Sequence, residues 1–471
     1  MEFKAKKITV LEDEPFKNDK LEMEQHVRNL SLLLQNISSP IVFSINAPWG
    51  CGKTTFLEML NADLKSANHK TIFFSAWETD FATDPLLAFI GEVNGEIESF
   101  IGKDESRIKA WDAAKKASSY IIKKGAPTVV KLATYGMIDI EEAVKGEISE
   151  FAKSTAGDAI DEYLEGRGEI TKFKENIKKV FNNGDNDSKV YIFIDELDRC
   201  RPTYAIELLE RIKHLLEIEG LVFILAMDKI QLSHSIKSVY GNEFEATGYL
   251  RRFIDIEYTL PKVNLDSFID HLYQTFDFDS FFEKRKKYSE FQYDSERLHG
   301  AFKLLASSKK LSLREVEQLF AKVNLVLYST KENIHIYPTL LAFLLIIKEF
   351  HLEIYNRYVG DNSTPEEVIV LLYEIIPVEA RHESSECALI EASLISTKTG
   401  KSPNGIGQSM VAHNNILNNR DNTSGQRNYS ERVTQIYQHL CNSGVSDGIS
   451  LNSIASRINM LENFDFDAAK N

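Results

Sequence analysis

Five short runs of β-branched and aromatic residues set the strongest limit on how this 471-residue chain can fold. They are Ile41–Ile45, Thr71–Phe74, Val190–Ile194, Leu221–Ala226 and Ile254–Tyr258. Most carry apolar residues without the polar alternation of a half-exposed strand, and helical patterns lie between most of them. Continuous apolar strands alternating with helices predict a parallel sheet covered on both faces, an α/β fold. A chain this long exceeds one small core, so two or three structural units are expected.

The segments between the runs suggest a division of the chain. Asn18–Asn36 places Leu21, Met23, Val27, Leu30, Leu33 and Leu34 at helical spacing, and Ser38–Pro40 ends it. The interval Glu78–Lys189 is rich in Lys, Glu and Ala, with helical stretches at 84–100, 106–123, 140–164 and 170–181. A structureless loop of that length is improbable, so it reads as an inserted helical subdomain. After Pro261 the pattern is all-helical, and Leu340–Ile347 reads as a buried helix. Residues 393–430, dense in Asn, Ser, Thr and Gly, read as a linker or long loop. The expected organisation is therefore an N-terminal helix and first half of the core (1–78), a helical insert (79–188), and the second half of the core (189–262). A helical lid or C-terminal domain (263–392), the linker (393–430) and C-terminal helices (431–471) follow.

Composition narrows the function classes. Apolar and charged fractions of 43% and 27% are those of an ordinary globular protein. The net charge of -15 opposes binding to phosphate backbones and anionic lipids, so nucleic acid is not the favoured partner. The dense basic cluster, Lys284-Arg285-Lys286-Lys287 with Lys309 and Lys310, reads as a solvated helix face and leaves nucleic acid as the lesser alternative. Cys51, Cys200, Cys387 and Cys441 are scattered, without zinc or disulfide spacing, which fits a reducing cytoplasm. The N-terminus lacks the apolar core of a signal peptide, and no run reaches the roughly 18 apolar residues that span a bilayer.

Chemistry concentrates after the first run. Ala47-Pro48-Trp49-Gly50-Cys51-Gly52-Lys53-Thr54-Thr55 joins the first strand to the helical run Thr55–Leu64, the context of a Walker A phosphate loop. Glycines let backbone N–H groups turn inward around a phosphate, and the helix N-terminus adds partial positive charge. Lys53 would reach the β- and γ-phosphates, and the Thr54 hydroxyl would ligate Mg²⁺. The first glycine of the usual pattern is Ala47 here. The third run ends in Asp195-Glu196. Asp195 would hold Mg²⁺ through water, and Glu196 sits where a carboxylate can orient and deprotonate an attacking water, unless it serves only as an ion-pair residue. The guanine-reading N-K-x-D element is absent, so ATP is favoured.

These stretches resemble the KAP family of P-loop NTPases, placed with the STAND-like and AAA+-like ATPases. The likeness lies in the Trp49-Gly50-x-Gly52-Lys53 loop, Phe73-Phe74-Ser75-Ala76-Trp77, Ile194-Asp195-Glu196-Leu197-Asp198-Arg199-Cys200 with Pro202, and Tyr249-Leu250-Arg251-Arg252-Phe253 leading to Leu260-Pro261. It covers about residues 18 to 330, and the usual family form has Asp where Glu196 stands. The resemblance implies a sheet in the order 5-1-4-3-2, a helical lid, and ATP hydrolysis. It also implies a soluble bacterial member acting as a switch or motor, often in anti-phage defence beside a protein effector, and homo-oligomers. An ATP-binding scaffold and a nucleic-acid-stimulated ATPase are the alternatives.

By the same resemblance Asp228 would sense the γ-phosphate, or else cap the helix Lys229–Tyr240. Arg251 and Arg252 would act on a neighbouring subunit's ATP, or else form a solvated or salt-bridged helix end. Arg314 resembles a sensor arginine acting within the subunit. Asp198 and Arg199 could form an ion pair that fixes the loop after the third strand. Family members often carry a membrane hairpin in the insert. Here 119–140 is interrupted by Lys123, Lys124, Pro127 and Lys131, and each mid-bilayer charge costs about 2.5–3.5 kcal/mol.

Overall fold

The structure, a computed structural model, describes residues 8–123, 167–181, 189–399, 407–419, 421–442 and 449–460. They fall into two compact units: 8–19 with 23–262, and 20–22 with the residues from 263 onward.

In the first unit β1 (Ile41–Asn46), β2 (Lys70–Ser75), β3 (Val190–Asp195), β4 (Leu221–Met227) and β5 (Ile256–Thr259) form one sheet in the order β2-β3-β4-β1-β5. All pairings are parallel. Read from the other edge this is the expected 5-1-4-3-2. Every residue of β3 and β4 is buried, as the uninterrupted apolar runs require of central strands. Connecting helices include α1 (Glu24–Asn36), α2 (Lys53–Ser66), α3 (Pro85–Ile101), α4 (Glu105–Lys123) and α5 (167–181). After β3 come α6 (Pro202–Leu216), α7 (Lys229–Tyr240) and α8 (Ala246–Leu250).

The first helix begins at Glu24, later than the expected Asn18. Leu21 and Met23 are buried all the same, as part of the approach to the helix. Val27, Leu30, Ser31 and Leu34 form its buried stripe. The Lys189 ammonium donates to the carbonyls of Gln35 and Ile37, 2.6 Å from each, and so satisfies the C-terminal end of α1.

The described part of the insert is not a subdomain of its own. Phe89 of α3 packs edge-on against Phe74 of β2, with ring centroids 5.2 Å apart. Trp111 of α4 and Ile177 and Phe181 of α5 share one apolar cluster with Ile72 and Ile192. Arg107 binds α4 to α5, donating from Nε and Nη2 to the Val180 carbonyl at 2.8 and 2.6 Å. The strands β2 and β3 carry apolar side chains on both faces, so helices must cover the side that α2 leaves open. The expected helix at 140–164, and nearly all of 119–140, lie outside the described residues. Among the described residues no helix is long and apolar enough to cross a membrane.

The second unit is all-helical among its described residues. Its centre is the helix Pro338–Phe350, in which Pro338 to Ile347 are all buried. Two expectations change here. The described residues of the 393–430 stretch are largely helical, lying in the helices Ser385–Thr399, Gln408–Asn418 and Ser424–Asn442. A buried polar cluster receives His413, Tyr429 and Ser430 from this stretch. Glu391 accepts from Tyr373 at 2.7 Å, Tyr429 at 2.5 Å and His413 at 2.8 Å, and the other His413 ring nitrogen meets Ser430 at 3.0 Å.

The basic cluster is likewise not a continuous cationic face. Arg285 is fully buried, stacked 4.1 Å above Phe291, donating to the Glu332 and Ile334 carbonyls and to Asp294 at 2.8 Å. Lys286 and Lys287 pair with Glu283 and Glu332. Arg285 depends on Asp294 for charge compensation, so Asp294→Asn is expected to cost roughly 1–3 kcal/mol by leaving a buried cation short of its partner. A thermal melt checks this, and an unchanged midpoint would contradict the role assigned to the pair.

Candidate nucleotide site

The carboxyl ends of the parallel strands gather the candidate residues on one edge of the first unit, where open α/β sheets bind ligands. The phosphate loop leaves β1 and is tied to β4 at once, because the Ala47 N–H donates to the Met227 carbonyl at 3.2 Å. Gly50 and Gly52 have φ of +76° and +83°. Such left-handed turns suit glycine and let the loop curl before α2, whose N-cap is Gly52. A side chain at either position would strain the loop. Lys53 folds its ammonium onto the loop's own carbonyls, at 2.6 Å from Ala47 O and 3.2 Å from Pro48 O. Cys51 and Thr55 are half-buried around the same turn.

Across the edge, Thr54 Oγ1 donates to Asp195 Oδ2 at 2.8 Å, joining the loop to the end of β3. Asp195 is 2% exposed. Burial pushes its carboxyl above the usual range, and the nearby Glu196 and Asp198 push the same way, against the hydrogen bonds from Thr54 and the Glu196 N–H. Asp198 Oδ1 is buried without a hydrogen-bond partner among the described residues. This acidic pocket beside a hydroxyl fits a divalent cation, whose charge would offset the crowding. The described residues contain no group of three or more His, Cys, Asp and Glu placed to hold a metal. An ion there would therefore draw on Thr54 and Asp195 and take its other ligands from phosphate oxygens and water.

Glu196 follows Asp195 with φ of +62°, a left-handed conformation uncommon for a side-chain-bearing residue. Its N–H donates to Asp195 Oδ1 at 2.8 Å. Its two carboxylate oxygens meet Arg199 Nη1 at 2.5 Å and Ser75 Oγ at 3.1 Å. The expected Asp198–Arg199 ion pair is thus not formed. Residues 197–199 make a 3-10 turn, and it presents Arg199 back to Glu196 three positions earlier. Asp198 instead accepts from the indole N–H of Trp49 in the phosphate loop.

The remaining candidates sort as follows. Asp228 caps α7, its Oδ1 accepting from the Ile230 and Gln231 N–H groups at 3.1 and 3.2 Å. Its side chain thus has the capping role weighed for it. Arg251 and Arg252 end α8 with exposed side chains and no ion-pair partner among the described residues. No hydrogen bond joins them to the phosphate loop or to Asp195 and Glu196 among the described residues. Arg314 belongs to the second unit, exposed in the first turn of the helix Leu313–Tyr328 that Ser312 and Glu315 cap reciprocally.

Two contributors escaped the sequence reading. Ser75 is in register with Asp195 across the β2–β3 pair, which only strand pairing reveals. Asn46, just before the loop, donates to Glu257 at 3.0 Å and accepts from the Lys229 N–H at 3.1 Å, bracing β1 against β5 and the start of α7. A polar residue ending an apolar strand was the available signal.

A five-stranded parallel sheet in this order, with a glycine loop and helix after β1 and two acids ending β3, defines a P-loop NTPase, a nucleotide-binding protein. The chain belongs to the KAP family, whose P-loop domain matches residues 24–330. It is also similar to the phage T7 exclusion protein of Escherichia coli K12, at 22% identity over 242 residues. That match takes in 49% of this chain and 31% of the relative, so the chain spans about a third of the relative's length.

Proposed function

We propose that the chain is a Mg²⁺-dependent ATP hydrolase that works as a nucleotide-driven switch. The observation that carries this reading is the 2.8 Å hydrogen bond between Thr54 and Asp195, with Glu196 next in the chain. It supports this reading because it joins the two candidate metal ligands beside the phosphate loop, with the candidate base adjacent in the chain. The loop's inward N–H groups and the N-terminus of α2 would bind the β-phosphate. The Lys53 ammonium would exchange the Ala47 and Pro48 carbonyls for β- and γ-phosphate oxygens, a short swing for a flexible side chain. Thr54 and Asp195 would hold Mg²⁺, which when bound neutralises charge on the phosphates. Glu196 would orient a water in line with the γ-phosphorus and accept its proton as the bond to the β–γ bridging oxygen breaks.

The biological setting is a further proposal, supported by the name of the similar phage T7 exclusion protein: an anti-phage role with a protein effector. Arg251 and Arg252, exposed and without an ion-pair partner among the described residues, suit a role on a second copy's nucleotide, which makes a homo-oligomer the expected working form.

Phosphate release by the purified chain tests the hydrolytic reading. It is expected with ATP and Mg²⁺, to vanish with EDTA, and to fall about 10-fold or more in Thr54→Ala, which loses one metal ligand. Equal turnover with and without EDTA would sink the metal assignment.

A further inference from the structure

The 3-10 turn after β3 is gripped from two sides. Arg199 reaches back to Glu196, with its guanidinium 5.8 Å over the exposed ring of Trp77. The adjacent Asp198 is held by the indole of Trp49, a residue of the phosphate loop. The turn is closed by the Arg199 N–H donating to the Glu196 carbonyl at 3.1 Å, so its two side-chain grips are mechanically joined.

A general base must turn an oxygen toward the water it activates, within hydrogen-bond reach. Here one Glu196 oxygen is taken by Arg199 and the other by Ser75. The Arg199 side chain is 35% exposed and that of Glu196 17%, so solvent reaches the pair from the arginine side, and a pair of that kind is worth a factor of about five. That is enough to bias the carboxylate and weak enough to be exchanged. We propose that Arg199 is a positioning residue that restrains Glu196 away from its water, and that the Trp49–Asp198 hydrogen bond makes the restraint depend on the conformation of the phosphate loop. This rests on the hydrolytic reading and adds regulation to it. Movement of the loop around phosphates would pull the turn through Trp49, shift Arg199 on the face of Trp77, and free one carboxylate oxygen. Base activation would then follow nucleotide seating.

The test is steady-state phosphate release by the full chain, with binding measured separately by a fluorescent ATP analogue. Arg199→Gln is expected to raise kcat about fivefold over wild type with unchanged nucleotide affinity, the scale of a partly exposed ion pair. Arg199→Lys keeps the charge but loses the forked geometry, and falls between the two. Trp49→Phe, which deletes the indole N–H and keeps the ring, raises kcat in the same direction and stands in should Arg199→Gln not fold. An unchanged or lower kcat in Arg199→Gln and Trp49→Phe, with an active wild type, overturns the restraint and leaves hydrolysis standing. Wild type and Arg199→Gln that both bind nucleotide yet release no phosphate overturn the hydrolytic reading, and the restraint with it.

Discussion

Glu196→Gln is expected to lower ATP turnover by about 10²–10⁴-fold, the usual contribution of a positioned proton acceptor. The amide is nearly isosteric and can still accept from Ser75, so the local fold should persist. What it loses is the capacity to take a proton. Nucleotide affinity should stay close to that of wild type, because the groups proposed to bind the phosphates, Lys53 and the loop N–H groups, are untouched. Single-turnover measurements separate the two quantities: normal binding followed by stalled chemistry is the expected pattern. Wild-type turnover in Glu196→Gln would remove Glu196 from the reaction and leave its left-handed backbone as a feature of the turn alone.

Lys53→Ala is expected to weaken ATP binding by about 100-fold or more, the scale of removing a direct charged contact to a phosphate. The ammonium's observed partners are two backbone carbonyls of the loop. Pro48 is exposed, so water can replace the donor lost there, and the buried Ala47 carbonyl forfeits a single hydrogen bond, too little to unfold the protein. Titration with a fluorescent ATP analogue reads the affinity, and a thermal melt without nucleotide reads the fold. A large drop in the melt would shift the role of Lys53 from the ligand to the loop.

These expectations rest on residues whose local roles differ in how readily the sequence discloses them. The spacing of Gly50, Gly52, Lys53 and Thr54 discloses the loop, because each residue type there answers to a local need: a positive φ, a charge, a hydroxyl at a helix start. The strands were legible to within a residue or two; for β3 and β4 this is because a strand buried on both faces has no alternative to an unbroken apolar run, whereas the mostly exposed β5 showed as an alternating one. Asp195-Glu196 was legible for the same reason, as the acids that end such a run. Family likeness supplied the strand order, which periodicity does not encode.

Other features were hidden by distance in sequence. The 112 residues or so from Glu78 to Lys189 read as a separate helical subdomain, yet Trp111, Ile177 and Phe181 pack into the core of the sheet. Helical periodicity reports that a helix has an apolar face and says nothing of what covers it. Arg285 sits in a run of four cations and is nevertheless buried, because Asp294, nine residues on, and two backbone carbonyls accept from its two terminal nitrogens and the Phe291 ring lies against its guanidinium. The described residues of the polar stretch 393–430 are mostly helical, and there His413, Tyr429 and Ser430 pair with Glu391 and Tyr373 or with one another inside the helical unit.

The sequence by itself determined the five-strand parallel core, the phosphate loop and the pair of acids, since these follow from local patterns of burial, backbone conformation and charge. Only the tertiary structure decided the long-range partners of those acids and of Asp198. Thr54 meets Asp195 across 141 positions, Ser75 meets Glu196 across 121, and Trp49 meets Asp198 across 149. The physical reason is strand order: parallel pairing brings the carboxyl ends of β1, β2 and β3 to one edge, and contacts made there have no signature in the intervening chain.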